Sequence, residues 1–352
     1  NIEWHARILM QKYVIRRLIT LGNIVIEKSY QDDPDIFDLM DNIDTEVAVI
    51  SNVALKNRRS DNTLNPQEEL KEKMEMKAKG IAVGFPIGVS AFDEWCGGFR
   101  KRWLIVIAAR PGMGKTTVGL AIAANSAIDK NILTTFYALE MPKVDLYNRL
   151  AARLTNVSFS KIDKAECTVE EYHEVTAAFE FLNNSNLDIS DTSEHGNNLE
   201  RIIADIRKKY KQGHRLFLID YGQLVKLSRA SGDRTSDIGT ITRELKATAN
   251  ELSVPIILFA QLLRSVDKNP GHRPTLADIK QSGSFEEDAD MVIFILRQAY
   301  YTKNDTDIPT PPQIAGDTEW IIAKGRSTGT RDFRTYMDFS KYTFESYSDT
   351  EF

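Results

Sequence analysis

The sequence predicts an α/β protein with a mostly parallel sheet flanked by helices, and two observations support this fold class. Short apolar runs alternate with longer helical patterns through residues 81–352. These runs are apolar at nearly every position, which is typical of strands that are buried on both faces of a parallel sheet. The predicted strands are residues 104–109, 132–139, 216–219, 255–260, 291–296 and 320–323.

Two helical segments precede this α/β domain. Residues 1–56 predict a helical hairpin, because apolar residues recur at helical spacing in both halves. Two helices cannot enclose a core, so the hairpin must pack on something absent from this chain or on another subunit. Residues 57–80 predict a linker with a helix, in which Leu70, Met74 and Ala78 form only a thin apolar stripe. This helix is either a solvated connection or one that docks on a neighbouring subunit.

The composition excludes several classes of protein. The chain has 352 residues, of which 42% are hydrophobic and 27% charged, so disordered and collagen-like proteins are excluded. No apolar run approaches the ~20 residues that span a bilayer, so we expect no membrane partner. Cys96 and Cys167 are too few for a disulfide framework, and we therefore expect a reducing cytoplasm. The start at Asn1, without a signal-peptide pattern, suggests a fragment or a processed form.

The charge and the histidines limit the kinds of ligand. A net charge of −5 excludes a generally basic protein that coats DNA, but it allows nucleic acid held by a few local contacts. The five histidines are scattered without the spacing of metal ligands.

A phosphate-binding loop follows the first predicted strand. Residues 109–116 fit the pattern GxxxxGK[ST], with Ala109 in place of the first glycine. The backbone N–H groups from Gly112 to Thr116 would surround a β-phosphate at the N-terminus of a helix. Lys115 would reach the β- and γ-phosphates, and the Thr116 hydroxyl would hold Mg²⁺. The residues expected to contact the nucleotide are Ala109, Arg110, Pro111, Gly112, Met113, Gly114, Lys115, Thr116, Thr117 and Asp220.

Three polar residues stand at the ends of other strands, where ligands bind in open α/β sheets. Asp220 would supply the second carboxylate on the metal side, and a strand-end cap is the alternative. Glu140 would orient or deprotonate the attacking water, although an acid beside a helix N-terminus is also favoured by the helix dipole. Gln261 could sense the γ-phosphate, or it could simply close its strand. A loop of about twenty residues follows Gln261, and loops of this length are usually functional.

At these residues the chain resembles the hexameric replicative DNA helicases of the DnaB type, within the RecA-like ATPases. The resemblance covers almost the whole chain, and Ala109 is normal for this family. The segments that carry it are residues 109–116, 138–142, 218–224, 260–265, 278–284, 287–290 and 322–326. The opening helices resemble the last helical hairpin of the family's N-terminal domain.

The resemblance implies a role for each of these residues. Lys115, Thr116 and Asp220 bind ATP and Mg²⁺, Glu140 is the general base, and Gln261 senses the γ-phosphate. Arg326 is the arginine finger that reaches the nucleotide of an adjacent subunit with help from Lys324; without the resemblance, Arg326 would be a surface charge at a strand end. Family members usually have Gln between these two residues, where this chain has Gly325.

The resemblance also implies contacts to DNA. The first DNA loop consists of Lys280, Gln281, Ser282 and Gly283, and family members often have Arg-Glu where this chain has Lys280-Gln281. Contacts of this loop to the DNA backbone carry no base information, which suits a motor that ignores sequence. The segment 228–237, with Arg229 and Arg234, is either a second channel loop or an ordinary solvated loop.

The function that the resemblance implies is an ATP-driven ring helicase. It would assemble as a homohexamer, encircle single-stranded DNA, move 5′ to 3′ and unwind the duplex at a replication fork, with a primase and a helicase loader as further partners. A RecA-like recombinase is one alternative, against which the hairpin and linker helix argue. A KaiC-like signalling ATPase would hydrolyse ATP without DNA. A loader or scaffold that uses ATP as a switch is disfavoured by the intact Glu140.

Overall fold

One nine-stranded sheet forms the centre of the protein. The computed structural model describes residues 2–30, 83–279, 283–302, 316–339 and 341–346, with isolated positions between 36 and 50 and between 67 and 75. The strands lie in the order β3-β2-β4-β5-β1-β6-β7-β8-β9. They are β1 Leu104–Ala109, β2 Thr134–Ala138, β3 Leu187–Asp191, β4 Leu216–Asp220, β5 Ile256–Gln261, β6 Met291–Leu296, β7 Asp317–Gly325, β8 Arg331–Asp338 and β9 Thr343–Ser346.

The sheet is parallel from β3 to β6 and antiparallel from β6 to β9. This confirms the predicted fold class. The strands β1 and β6 have their predicted bounds, and the other four predicted strands are present with shifted ends. Three strands were not predicted, namely β3, β8 and β9. The reason is visible in β8, where exposed and buried residues alternate and no continuous apolar run forms.

Helices cover both faces of the sheet, as in other doubly wound folds. Among the described residues, the α-helices are α1 Ile2–Ser29, α2 Ser90–Cys96, α3 Lys115–Ala124, α4 Lys143–Leu154, α5 Phe159–Asp163, α6 Val169–Asn183, α7 Thr192–His195, α8 Leu199–Lys211, α9 Arg234–Leu252, α10 Gly283–Asp288 and α11 Gln298–Thr302. A π-helical turn, Asn125–Asp129, continues α3.

The helix that follows the phosphate-binding loop packs closely on the sheet. Eight of the ten residues of α3 are buried. Gly119 lies at the crossing point, where a Cβ would stand 2.9 Å from Phe259 Cζ and 3.0 Å from Phe136 Cε2. Because both rings are fully buried, neither can move aside. Glycine at this position therefore sets the distance between the loop and the sheet.

The N-terminal segment is helical, as the sequence predicts. The helix α1 has 28 residues, and the described positions between 36 and 50 and between 67 and 75 are also helical. Arg17 pairs with Glu46, and Arg201 of α8 donates two hydrogen bonds to Thr45 Oγ1, so this segment touches the α/β domain. Residues 57–66 of the predicted linker lie outside the described residues.

The apolar faces of these helices remain open. Leu9, Ile19 and Ile26 on α1 are each more than half exposed. The predicted need of the hairpin for a partner surface is therefore unmet within the part of the chain that is described. None of the helices that can be described is long and apolar enough to span a membrane.

The long loop after β5 is a folded unit. It contains three 3₁₀ turns, Arg264–Lys268, Pro270–His272 and Leu276–Asp278. Its two ends are joined, because Leu262 bridges Ile279 and the Leu263 N–H donates to the Asp278 carbonyl at 2.8 Å. The Asp278 carboxylate accepts hydrogen bonds within the loop from Thr275, Asn269 and Ser265. A loop built in this way keeps its shape.

The packing of Gly119 leads to a stability prediction. Gly119→Ala should lower the free energy of unfolding by about 1–3 kcal/mol, because the new methyl group overpacks a rigid contact. Gly22→Ala in α1 is the matched control, since a Cβ there meets nothing within 4 Å. It should raise stability by about 0.5–1 kcal/mol. Denaturant unfolding of the two variants measures both effects, and a Gly119→Ala protein as stable as the parent would contradict the packing argument.

Candidate functional site

The phosphate-binding loop is shaped by two glycines in the left-handed region. Gly112 has φ +80° and Gly114 has φ +89°. A Cβ at Gly112 would lie 3.0 Å from Tyr300 Cε2, and a Cβ at Gly114 would lie 2.7 Å from Phe339 Cε1. Each glycine is thus required both by its backbone angle and by an aromatic ring packed against it.

A buried carboxylate lies beneath this loop. Asp220 is 2% exposed, and its Oδ2 accepts a hydrogen bond from Thr116 Oγ1 at 2.7 Å. Its Oδ1 lies 2.8 Å from Lys115 Nζ, an ion-pair contact without the angles of a hydrogen bond. Lys115 Nζ is also 3.5 Å from Glu140 Oε2, and it lies 3.8 Å from the centre of the Tyr221 ring. The structure thus brings the predicted charged residues together around one ammonium group.

The two carboxylates have different surroundings. Asp220 is enclosed, whereas the side chain of Glu140 is half exposed at the same edge of the sheet. Burial, with the negative charges of Glu140 and Asp220 nearby, raises the pKa of Tyr221 above its usual value, so the phenol stays protonated. An enclosed carboxylate suits metal binding, and an accessible one suits contact with water.

Most of the predicted nucleotide residues line one cavity of 320 Å³ above the loop. They are Ala109, Arg110, Pro111, Gly112, Gly114, Lys115, Thr116 and Thr117, and they are joined by Glu140 and Gln261. Met113 does not line it, because its side chain is buried in the core. The prediction that Met113 contacts a nucleotide can therefore apply only to its main chain.

The residues of this site fit a magnesium ion and a triphosphate. The Thr116 hydroxyl and the Asp220 carboxylate are hard oxygen ligands, which Mg²⁺ prefers. Both lie beside the N-terminus of α3, where backbone N–H groups and the helix dipole favour an anion. Lys115 adds a positive charge at the same place. With only two oxygen ligands from the protein, phosphate and water oxygens must complete the coordination of the metal.

Arg110 does not point its charge into the cavity. Its guanidinium makes two hydrogen bonds to the Asp267 carboxylate, at 2.9 and 3.1 Å. Asp267 also accepts a hydrogen bond from the Tyr301 hydroxyl, and the Tyr301 ring stacks on His272 with centroids 3.8 Å apart. The hydrogen bonds from Arg110 lower the pKa of Asp267, so the pair stays charged. The Arg110 side chain thus fastens the phosphate-binding loop to the loop after β5, and a contact of this residue with the nucleotide stays a prediction.

Gln261 ends β5 at the rim of the cavity, as predicted. Its main-chain N–H and carbonyl both form hydrogen bonds with one neighbouring side-chain amide. Gln223 Nε2 donates to the Gln261 carbonyl at 3.3 Å, and the Gln261 N–H donates to Gln223 Oε1 at 3.2 Å. This contact fixes the backbone from which the Gln261 side chain extends.

Lys324 and Arg326 lie at the opposite edge of the sheet. Gly325 pairs with Met291 at the start of β6, whereas the phosphate-binding loop adjoins the other end of that strand. Lys324 donates to the Glu286 carbonyl and Arg326 to the Glu287 carbonyl, both in α10. Burial and the charge of Arg326 lower the pKa of Lys324. The two residues are therefore remote from the cavity of their own subunit.

The structure explains why glycine separates these two cations. A Cβ at Gly325 would stand 2.3 Å from Thr328 Oγ1 and 2.4 Å from the Gly329 carbonyl oxygen. The turn after β7 folds back onto this position, so a glutamine here would push the turn away. The turn takes the place that a glutamine side chain would need.

The predicted DNA residues fall into three groups. Lys280, Gln281 and Ser282 lie outside the described residues, whereas Gly283 is exposed at the start of α10, and a Cβ there would meet nothing within 4 Å. Arg229 is exposed on the segment before α9. Arg234 is half-buried, and its guanidinium donates to the carbonyls of Gln223 and Val225, at 2.6 and 2.9 Å. It supports the protein backbone here, and its contact with DNA stays a prediction.

Four residues at the cavity were not predicted, namely Met141, Arg149, Tyr221 and Phe339. The guanidinium of Arg149 lies 5.4 Å from the ring centres of both Phe159 and Tyr342, and its Nε has no hydrogen-bond partner among the residues described. A signal for Arg149 exists in the sequence. It follows Leu146 by three residues and so lies on the buried face of α4, where a charged residue is unusual.

The chain is similar to known helicases over most of its length. Residues 84–346 match the family described as the DnaB-like helicase C-terminal domain. The replicative DNA helicase DnaC of Bacillus subtilis is 32% identical over 97% of this chain and 74% of its own length. The replicative DNA helicase DnaB of Geobacillus stearothermophilus has the same identity and coverage.

Two solved structures resemble the whole fold. One, described as an ATPase domain, aligns with a TM-score of 0.72 and 29% identity, covering 82% of this chain and all of that domain. A DnaB-like replicative helicase, described with its interactions with primase, aligns with a TM-score of 0.71 and 27% identity, covering 97% of this chain and 78% of the helicase. On these similarities and on the geometry of its phosphate site, the chain belongs to the DnaB-like replicative DNA helicases, which are ATP-hydrolysing enzymes.

Proposed function

We propose that this protein is an ATP-driven motor that assembles as a ring-shaped homohexamer, moves 5′ to 3′ on single-stranded DNA and unwinds the duplex at a fork. The observation that carries the proposal is the buried Asp220 held by Lys115 and Thr116 beneath the phosphate-binding loop. Helicase family membership supports DNA as the polymer on which the motor acts.

The phosphate site assigns a role to each residue. Lys115 binds the β- and γ-phosphates, while Thr116 and Asp220 hold Mg²⁺, which neutralises phosphate charge when bound. The phosphates draw Lys115 away from the carboxylates, which leaves Glu140 free to contact a water molecule. Glu140 takes a proton from this water as the water oxygen attacks the γ-phosphorus, and ADP leaves with the bridging oxygen. Gln261 contacts the γ-phosphate from the end of β5.

The arginine finger acts between subunits. The six residues of β6 separate Arg326 from the cavity of its own subunit, a distance of roughly 17–20 Å at 3.3 Å per residue. A guanidinium cannot cross this distance, so Arg326 and Lys324 serve the nucleotide of an adjacent subunit. Hydrolysis therefore depends on assembly.

Two exposed segments contact DNA in this proposal. Gly283 ends the loop 280–283, and its missing side chain leaves room for a phosphate to approach the backbone. Lys280 in the same loop adds a positive charge. Arg229 forms the second contact, because its exposed side chain has no partner in the described part of the chain. Contacts of this kind bind DNA without reading bases.

The linker helix joins neighbouring subunits. Leu70 and Met74 are 59% and 65% exposed on their own chain. An apolar cavity of 560 Å³ between α4, α5 and α6 is lined by Ile162, Val169, Tyr172, Val175 and Phe179. We place the helix at 67–75 in this cavity on an adjacent subunit, because the two apolar surfaces match in character and each lacks a cover.

We infer further partners from the relatives. The solved helicase that aligns with this chain is described with its interactions with primase, and this supports a primase as a partner here. The helicase loader and the cytoplasmic location remain proposals that follow from membership of the family. The exposed apolar residues of α1 offer a surface for such contacts.

The proposed motor is tested first by ATP hydrolysis with and without oligo(dT). DNA should raise the rate by more than about fivefold, as coupling between two sites of 1–3 kcal/mol allows. Lys115→Ala should lower the stimulated rate by about 10²–10³-fold, because it removes a charge that stabilises the transition state. Lys211→Ala, an exposed lysine at the end of α8, is the control. Hydrolysis by the parent protein that ignores DNA would instead favour a signalling ATPase.

The finger is tested by mixing two inactive proteins. Arg326→Ala should bind nucleotide normally and lose about 10³-fold or more in turnover. Glu140→Gln should also be inactive, because the amide cannot take a proton from water. In mixed rings, some interfaces combine an intact Glu140 with an intact Arg326, so activity should reappear. Failure to recover activity at any mixing ratio would rule out action in trans.

The docking of the linker helix is tested through the size of the assembly. Leu70→Asp should weaken subunit association by about tenfold or more, because a contact worth about 1.5–3 kcal/mol becomes a buried charge. Tyr172→Asp in the cavity should have the same effect, while Lys71→Asp, on the helix but 78% exposed, should have little. Light scattering over a dilution series measures the effect. Unchanged assembly in both test variants would refute the docking.

A further inference from the structure

Gln261 lies at the end of β5, beyond the point where the neighbouring strand β4 stops pairing with it. The strand β4 pairs with β5 only as far as Ile219 and Leu258, so the last residues of β5 have no strand on that side. The next N–H in the chain, that of Leu262, donates to the Ala109 carbonyl on the β1 side. Because main-chain groups alternate along a strand, the N–H and C=O of Gln261 face the side where β4 is missing.

The side-chain amide of Gln223 replaces the missing strand. It accepts from the Gln261 N–H at 3.2 Å and donates to the Gln261 carbonyl at 3.3 Å. Only one orientation of the amide satisfies both bonds, since an N–H must donate and a carbonyl must accept. The backbone of the residue that contacts the γ-phosphate is therefore held by a side chain rather than by the sheet.

Gln223 is in turn connected to the segment with Arg229. The Gln223 carbonyl accepts a hydrogen bond from Arg234 at 2.6 Å, and the same nitrogen donates to the Val225 carbonyl at 2.9 Å. Arg234 begins α9 directly after the loop 228–233, and Asp233 caps this helix. A displacement of the Gln261 backbone is thus passed through Gln223 and Arg234 to the base of this loop.

The loop 228–233 is held at its base and exposed at its tip. The Ser228 hydroxyl accepts a hydrogen bond from Asn198, and the Ser231 N–H donates to Asp237. Arg229, between these contacts, projects into solvent. The construction allows the tip to move when its base is displaced, without loss of the contacts that shape it.

We propose that Gln223 is a positioning residue that couples Gln261 to the loop 228–233, so that the γ-phosphate changes how Arg229 meets DNA. The proposal rests on the proposed function, in which Gln261 contacts the γ-phosphate. The first DNA loop, residues 280–283, follows Ile279, which is joined to the residue after Gln261 by a different route, the main-chain bridge between Leu262 and Ile279. Of these two routes, only the one through Gln223 can be broken by a side-chain substitution that leaves the main-chain hydrogen bonds of the strands in place.

The test measures the affinity of fluorescent oligo(dT) with a non-hydrolysable ATP analogue and with ADP. The ratio of the two affinities reports the coupling between nucleotide and DNA, which is reciprocal by linkage. Gln223→Met keeps the volume of the side chain and removes both hydrogen bonds, and it should reduce this ratio by about threefold or more. Gln212→Met, at the exposed end of α8, should leave the ratio unchanged.

A double-mutant cycle with Arg229→Ala identifies the route. If the coupling through Gln223 ends at Arg229, then Gln223→Met should cause no further change in the ratio when Arg229 is already Ala. A role in stability alone would weaken DNA binding equally in both nucleotide states and would not depend on Arg229. Gln223→Glu keeps one hydrogen bond and loses the other, and it provides the same comparison if Gln223→Met does not fold.

The outcomes separate this proposal from the one on which it rests. A parent protein that does not bind oligo(dT) would refute the proposed function, and with it this coupling, before any variant is made. A parent that binds DNA with a nucleotide-dependent ratio, together with an unchanged ratio in the Gln223 variant, would refute the coupling alone. An equal effect of Gln223→Met with and without Arg229 would also refute it.

Discussion

The contact of Lys115 and Thr116 with Asp220 is the constraint on which the site depends. An enclosed carboxylate is costly unless it is paired, and this one lies on β4, separated from β1 by β5. Its partners stand at the start of α3. The contact therefore joins the phosphate-binding loop to a strand that lies far from it in the sequence. One ammonium faces two carboxylates here, and the site therefore attracts further positive charge. Thr116 and Asp220 would hold a magnesium ion here, which would supply this charge, and Lys115 would contact the phosphates of a bound triphosphate.

The sheet also separates the two halves of the proposed reaction centre. The phosphate site lies at one end of β1, and Asp290 lies at the other, where its carboxylate accepts from the Leu104 N–H at 2.8 Å and pairs with Lys246. The Asp290 carbonyl accepts from the Arg326 N–H at 2.9 Å. A fully buried strand thus runs from the phosphate site to the base of the finger. In the proposed ring, each subunit would therefore hold parts of two incomplete centres at a fixed separation, and a single copy would be a poor enzyme.

Much of the fold and of the cavity could be predicted from sequence because their signals are local. Lys115, Glu140, Asp220 and Gln261 each follow an apolar strand, and parallel strands bring their ends to one edge. Arg110 and Arg234 could not be placed in this way. The partner of Arg110 is 157 residues away in the chain, and local sequence does not reveal whether a cation faces a ligand or a carbonyl. The alternating strand β8 and the turn that covers Gly325 were missed for a similar reason, since both depend on tertiary contacts.

The loop between Gln261 and Ile279 is built as one unit. Its Asp278 carboxylate holds it from within, and Arg273 forms ion pairs with Glu319 of β7 and Asp332 of β8. Arg110 then joins it to the phosphate-binding loop through Asp267. A loop with this many internal contacts shifts more readily than it melts, because melting would break all of them together. In the proposed motor, a change at the phosphates would therefore reach Ile279, where this loop ends, as a displacement of an intact unit.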